Sequence, residues 1–592
     1  MSLAPARALQ LVHQIGCVTV AARTAHVAAT RCLLQALPSV ARLHASARCR
    51  SEATGSSAAL KSPRFVTTPI FYANAVPHIG HLYSTVLADS LKRVYELQGY
   101  PTVFSTGTDE HGQKIQQAAE DSAVEPGVFC DGISAKFKAL FEAANISYTD
   151  YVRTTEPRHK RAVAFLWTEL KNRGYIYKGE HAGWYCVSDE TFYSQSQVES
   201  IIDPKTRQPQ MISKESRRPV VWTTEENYMF RLSGFQDKLL HWLEANPEAI
   251  IPASQYRDVR NTLRSPLPDL SISRLAKRVS WGIPVPEDPD HVIYVWLDAL
   301  ANYLTVLGYP WTPNNPEPNL RAAWPAHVHV VGKDIVKFHA IYWPAFLMAA
   351  GLEPPKRIVS HAHWLMGHEK MSKSKGNVVD PERLLKTYGV DAVRYFLMRD
   401  GGIANDADFS ERAISQRYKH DLAGQLGNLS LRCVAPRINP TMTATTTPSQ
   451  SSPYHPAELA LLTKLHALPA VVAAHYDAVD FASALETVFD AVAEANRAWV
   501  AAEPWKMGPT DPRLRTAVYL AMETVRIAAV AMLPVMPGKM NEMLDNLGVQ
   551  RDERSWANVG VGKRWAAGPE GKRDVALKAD VVPPFPNFKQ KK

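Results

Sequence analysis

Cysteine is sparse in this chain, and the few present do not pair. Of six cysteines, Cys17, Cys32 and Cys49 lie in the first fifty residues, leaving Cys130, Cys186 and Cys433 scattered over the rest. With no CxxC or CxH pair, neither a disulfide scaffold nor a cysteine zinc knuckle is expected, and a reduced compartment fits. No run approaches the ~18 to 20 apolar residues that a membrane-spanning helix needs, so no membrane partner is expected. Residues 1–50 lack every acidic residue and every lysine, yet carry Arg7, Arg23, Arg31, Arg42, Arg48 and Arg50. Acid-free and rich in Ala, Val, Leu and Ile, this leader has the composition of a mitochondrial presequence, with a plain disordered tail as the alternative. Its arginines are spread throughout, whereas a secretory signal gathers its charge before one apolar core. Removing those six arginines from a net charge of +9 leaves +3, too little to argue for nucleic-acid binding on charge alone.

What remains is an ordinary globular composition, 46% hydrophobic and 21% charged, in a chain of 592 residues that is too long for one core. "RFVTTPIFYAN" (64–74) is β-prone, and the following stretch places Leu82, Val86, Leu87, Leu91 and Tyr95 at helical intervals behind Pro77. "PTVFST" reads as a second strand running into the polar loop "GTDEHG". Strand, helix, strand is the opening of a doubly wound parallel sheet. The pattern resumes at 326–351 and at "RIVSHAHWLM". Residues 174–283 between these halves are rich in Tyr, Trp and turn formers, and read as an inserted connective domain. Beyond 411 the pattern is helical: Ile414, Tyr418, Leu422, Leu426, Leu429 and Cys433 form one stripe, and helices are predicted at 457–476, 480–502 and 512–533.

Two short stretches carry chemistry. In "PHIGH" (77–81), His78 and His81 are three apart at a helix start, so both face one side of an N-terminus that already favours anions. Two imidazole donors there can follow the changing charge of a triphosphate, and Gly80 lets a nucleotide ring approach the backbone. A pair of capping surface histidines is the plain alternative, and a metal pair lacks a third ligand. "GHEKMSKSKGN" (367–377) places Lys370, Lys373 and Lys375 among turn-forming residues. Alone, such a loop fits a nuclear-import patch, a nonspecific nucleic-acid contact or a polyphosphate clamp.

HIGH followed by KMSKS, in order and in α/β context, resembles the class I aminoacyl-tRNA synthetases. Across residues 64–550 the chain is similar to the methionyl-tRNA synthetases, in their mitochondrial form. The stretches concerned are "TTPIFYANAVPHIGH", "TGTDEHGQKI", "LSISR", "WGIPVP", "YVWLDAL", "VGKDIVKFHAIYWPA", "KMSKSKGN" and "AEPW". The resemblance implies a ligase that joins L-methionine to tRNA(Met) through methionyl-adenylate, with Mg-ATP as substrate, in the mitochondrial matrix. It assigns catalysis to His78, His81, Lys370 and Lys373, and ATP binding to His78, Gly80, His81, Gly332, Asp334 and Lys373. The methionine pocket would comprise Ile70, Tyr72, Trp296, Leu300, Tyr303, Ile335, His339 and Trp343, with Asp109 on the substrate ammonium. Arg274 matches a family arginine near both sites. Polarizable sulfur suits aromatic walls, and rejecting leucine needs a polar group aimed at sulfur, which Tyr72 or His339 would supply.

For tRNA, Asn428, Arg432 and Trp505 match family residues that read the anticodon, and an indole beside an amide and a guanidinium suits splayed single-stranded bases. The implied architecture is a Rossmann-like doubly wound α/β domain with an inserted connective domain, followed by an all-α anticodon-binding domain. The expected boundaries are a presequence and lead-in (1–62), first Rossmann half (63–173), insertion (174–283), second half (284–361), KMSKS and stem-contact region (362–411), helical domain (412–550) and tail (551–592). Many relatives carry cysteine knuckles in the insertion; here Cys186 stands alone, so no structural zinc is expected. With no appended module in evidence, a monomer is expected. Rival readings are a leucine, isoleucine or valine synthetase, whose editing insertion is usually larger, an HxGH nucleotidyltransferase, and a tRNA-binding protein without catalysis.

Overall fold

The computed structural model describes residues 61–563 except 190, 194, 204–205, 316–317, 372–376, 442, 445–447 and 449–452, together with 575–577 and 583–586. The leader up to residue 60 and Lys373 therefore lie outside the described residues. The first β-prone run forms two strands, β1 (Arg64–Thr67) and β2 (Phe71–Tyr72), interrupted where Pro69 lacks the N–H that a ladder requires. Helix α1 (Ile79–Leu97) follows, burying Leu82, Val86, Leu87 and Leu91. β3 (Thr102–Asp109) runs further than predicted, taking in the first half of "GTDEHG". β2 and β4 (Asp150–Arg153) flank it on opposite sides, because Thr108 is in register with both Phe71 and Arg153. Gly107 is required there: a Cβ would lie 1.9 Å from the Val152 carbonyl oxygen.

After helix α2 (Pro157–Asn172), β5 (Ile176–Cys186) and β6 (Val221–Phe230) form a long antiparallel pair at the centre of the insertion. Part of the segment 174–283 also reaches the main sheet. Helices α3 (Gln236–Ala245) and α4 (Ala253–Leu263) flank β7 (Ile250–Ile251), which joins the edge of the main parallel sheet beside Ile358–His361. Two apolar residues ahead of Pro252 are too short a signal to reveal a strand by periodicity. The second half supplies helix α5 (Val295–Leu300), β8 (Val328–Gly332), helix α6 (Trp343–Ala350) and β9 (Ile358–His361).

The seven-stranded sheet is parallel, ordered β7–β9–β8–β1–β3–β4, with β2 extending the side of β3 that β1 begins. Strand order reverses between β8 and β1, and such a switch point opens a crevice at the carboxyl ends of its strands.

Helix α7 (Val390–Asp400) locks onto α1 through a buried ion pair, Arg394 Nη2 to Asp89 Oδ2 at 2.6 Å. Arg394 also donates to the carbonyls of Ala144, Pro534 and Val535. The predicted stripe from Ile414 to Cys433 is buried throughout, but it is not one regular helix. Between α8 (Glu411–Arg417) and α9 (Asn428–Cys433), residues Tyr418–Gly427 are wound as a π-helix.

Helices α10 (Pro456–Asp477), α11 (Phe481–Ala502) and α12 (Pro512–Met532) fall close to their predicted spans, followed by α13 (Pro537–Asn546). Asp480 and Asp511 cap the second and third of these, and Pro456, Pro512 and Pro537 occupy first turns. By length and composition α10 is apolar enough to cross a membrane, contrary to the sequence reading; here Leu461, Leu465, Leu468, Val472 and Tyr476 are buried on the bundle. The tail returns to the body. Val575–Ala576 pairs with Thr443–Ala444, and the Tyr418 hydroxyl donates to the Pro586 carbonyl beside buried Phe585.

Candidate active site

The helix cap at "HIGH" is built from its own histidines. His78, in extended conformation, is the N-cap of α1; its Nδ1 accepts from the Gly80 N–H at 3.0 Å. His81 Nδ1 accepts from the His78 N–H at 3.1 Å, and the two rings stack with centroids 3.8 Å apart. Both Nδ1 atoms accept, so in the neutral rings the hydrogen sits on Nε2. Gly80 has a reason internal to this cap: a Cβ there would lie 2.9 Å from Cε1 of His78.

A cleft of about 850 Å³ opens at the switch point; Phe71, whose ring packs on His81, lines it, whereas His78, Gly80, His81 and Gly332 do not. Eight of the nine residues expected around methionine line it: Ile70, Tyr72, Asp109, Trp296, Leu300, Tyr303, Ile335 and His339. Trp296 is stacked on Phe338 at 3.7 Å, a partner the sequence reading missed. Trp343 is the exception. It is fully buried behind Tyr303 and His329, donating its indole N–H to His329 Nε2 at 3.3 Å.

His339 lies in a π-helical turn (Phe338–Tyr342) entered from the end of β8. Its Nδ1–H donates to the Ile335 carbonyl at 2.9 Å, so Nε2 accepts from the Tyr303 hydroxyl at 2.8 Å. Both ring nitrogens are thus engaged, and His339 is not the donor to sulfur that was expected. Tyr72, on the cleft wall, retains that candidacy. Burial pushes His339 down to about 4, and keeps His329 well below its ordinary value, so both rings are neutral at neutral pH.

Asp109 is aimed by its neighbours. Glu110 turns inward onto Arg153 at 2.7 Å and onto the hydroxyls of Thr108 and Thr155. His111 turns the other way, to Asp298 on α5, at 2.7 Å. Asp298 also binds His159 of α2 at 2.7 Å. Burial alone would raise the Asp298 pKa, but the two imidazoles hold it down at about 2. This clamp joins the turn that follows Asp109 at the end of β3 to the helix carrying Trp296 and Leu300. Its signal in sequence, an acidic residue and a histidine far apart in "YVWLDAL" and "GTDEHG", needs the fold to connect them.

Gly332 ends β8 and Asp334 follows it on the cleft rim. Asp334 accepts from Lys370 Nζ at 2.7 Å and from His363 Nε2 at 3.2 Å. Partial burial works against ionisation, yet these two donors draw its pKa well below the carboxylate range. Lys370 is thus at the rim, in a short strand Glu369–Lys370 paired with Trp364–Met366. Arg274 does not line the cleft; its guanidinium is enclosed by the rings of Tyr294, Phe192 and Tyr185. Cys186 is buried, its thiol pushed up to about 12 by burial and by Asp189, and no group of three metal-ligating side chains occurs among the described residues.

On the helical side, Asn428 and Arg432 are exposed on α9, and Trp505, just past α11, is 44% exposed.

Residues 64–434 match the family described as tRNA synthetases class I (M). The human mitochondrial methionine--tRNA ligase is 46% identical over 536 residues, covering 86% of this chain and 88% of that protein. The probable mitochondrial counterpart of Dictyostelium discoideum is 44% identical over 508 residues, covering 84% and 88%. Among solved structures, Mycobacterium tuberculosis methionyl-tRNA synthetase in complex with methionyl-adenylate superposes with a TM-score of 0.82 at 39% identity, covering 89% of this chain and all of that one. The chain belongs to the methionyl-tRNA synthetases. The family match takes in every cleft residue and both Asn428 and Arg432, while Trp505 lies beyond it. A leucine, isoleucine or valine synthetase and an HxGH nucleotidyltransferase are thereby set aside.

Proposed function

We propose a residue-level division of labour for the ligase reaction of this family. The chain activates L-methionine with ATP and transfers the methionyl group to tRNA(Met) in mitochondrial translation. In the first step a methionine carboxylate oxygen attacks the α-phosphorus of Mg-ATP, and pyrophosphate leaves with the electrons of the broken P–O bond. In the second, a ribose hydroxyl of the terminal adenosine attacks the acyl carbon, losing its proton as AMP departs. No covalent enzyme nucleophile is needed, so positioning and charge stabilisation carry the catalysis.

Asp109 holds the substrate ammonium; Tyr72, Trp296 and Tyr303 enclose the thioether, with Ile70, Leu300 and Ile335 setting its length. His78 and His81 donate to the phosphates from the α1 N-terminus, Gly332 and Asp334 receive the ribose, and Lys370 and Lys373 neutralise the departing pyrophosphate. Asn428, Arg432 and Trp505 read the anticodon. The protein works as a zinc-free monomer in the mitochondrial matrix. The observation that supports this reading is the cleft itself, lined together by the carboxylates of Asp109 and Asp334 and the rings of Tyr72, Trp296 and Tyr303.

The test is ATP–pyrophosphate exchange with each of the twenty amino acids, without tRNA, on protein beginning near Ser62. Exchange with methionine alone is expected, abolished in Lys373→Ala. Exchange with another amino acid would overturn the pocket assignment.

A further inference from the structure

The π-helical turn Tyr418–Gly427 ends one residue before Asn428, and it does something a regular helix would not. The Asn428 N–H is shared between the carbonyls of Ala423 and Gln425. The Gln425 carbonyl also receives a side chain from another helix: Asn496 of α11 donates its Nδ2 to Gln425 O at 3.3 Å and to Val492 O at 3.1 Å. Those two carbonyls fix which way the Asn496 amide points, because the flipped orientation would set three oxygens against one another. Its Oδ1 therefore faces Arg432 and accepts from Nη1 at 2.9 Å. Among the described residues, Asn496 is the partner of the Arg432 guanidinium, whose side chain is otherwise exposed.

We propose that Asn496 is a positioning residue for tRNA recognition, holding Arg432 in the orientation in which it meets an anticodon base. The inference rests on the reading of Arg432 as an anticodon contact. An unrestrained arginine loses rotamer freedom when it binds, and a side chain pinned beforehand loses less. One carbonyl, Gln425 O, thereby ties the backbone of Asn428 to the amide that orients Arg432, so two base-reading side chains share one anchor.

The experiment is a double-mutant cycle on aminoacylation with a tRNA(Met) transcript, using Arg432→Ala, Asn496→Ala and the double variant. Pyrophosphate exchange without tRNA and the melting temperature serve as controls. Asn496→Ala is expected to raise the KM for tRNA about tenfold, the scale of one charge-assisted hydrogen bond. Exchange and melting should stay unchanged, and the double variant should be no worse than Arg432→Ala alone. Asn496→Ser serves if Asn496→Ala is poorly folded, because the serine hydroxyl can still donate to Val492 O while falling short of Arg432. Additive effects, or an Asn496 variant with an unchanged KM beside a damaged Arg432→Ala, overturn the proposal and spare the anticodon reading. An unaltered KM in Arg432→Ala overturns both.

Discussion

His339 illustrates how much a single tautomer decides. The Ile335 carbonyl takes the hydrogen of Nδ1, which obliges Nε2 to accept and Tyr303 to donate. In Tyr303→Phe the buried acceptor loses its partner, at a cost of about 1 to 3 kcal/mol in stability. A lower melting temperature and a raised methionine KM in pyrophosphate exchange are expected; an unchanged KM would mean that this hydroxyl does not shape the pocket. Most of the cleft residues named from the sequence were legible because they lie inside motifs, whereas Asp189, Tyr193, Glu215 and Arg218, which the insertion adds to the cleft, gave no such sign. The partners of the named residues were not legible: what occupies His339, what stacks on Trp296 and what hides Trp343 are settled by residues 4 to 42 positions away, most of them more than ten.

At the scale of elements, strongly periodic segments were readable and irregular ones were not. Helices α10 to α12 carry apolar stripes and clear start signals, so their spans fall within a few residues of expectation. The two π-helical stretches were invisible, because one extra residue per turn barely disturbs a pattern read at intervals of three and four. Both carry residues assigned to function or border them. The joint between α1 and α7 also escaped the sequence reading, since an aspartate and an arginine 305 positions apart give no local sign. Burial opposes the charge on Asp89, but Arg394 and Arg93 outweigh it and hold the carboxyl at about 2. Arg394→Ala would leave that charge buried with one guanidinium fewer, a loss of about 3 to 5 kcal/mol. Denaturant unfolding should show it, and a loss below 1 kcal/mol would mean that water replaces the guanidinium.

For the molecule as a whole, acid should act through histidines before carboxylates. Burial pushes His327 to about 3 and both His339 and His361 to about 4, with His329 also depressed. Each binds a proton in the unfolded chain near pH 6.5 but not in the folded one. Their contribution is therefore fully present above 6.5 and is lost as pH falls toward 4, by at most about 1.4 kcal/mol per pH unit for each group. Asp89 and Asp298, both near 2, start to count only below about 4. Melting temperatures at pH 7.5, 6.0 and 5.0 should fall stepwise, and a flat series would show that these imidazoles are solvated.

The central place of β1 has a consequence for how the chain is made. Its partner on one side, β3, emerges within 40 residues, but its partner on the other, β8, begins at Val328. At translation rates of roughly 5 to 20 residues per second, the first strand waits on the order of 10 to 50 s with one row of N–H and C=O groups unclaimed. A nascent chain in that state is a template for wrong pairing. A strand paired on both sides in the finished enzyme is thus an open edge during synthesis, and a holding chaperone would act on the first half of the catalytic domain.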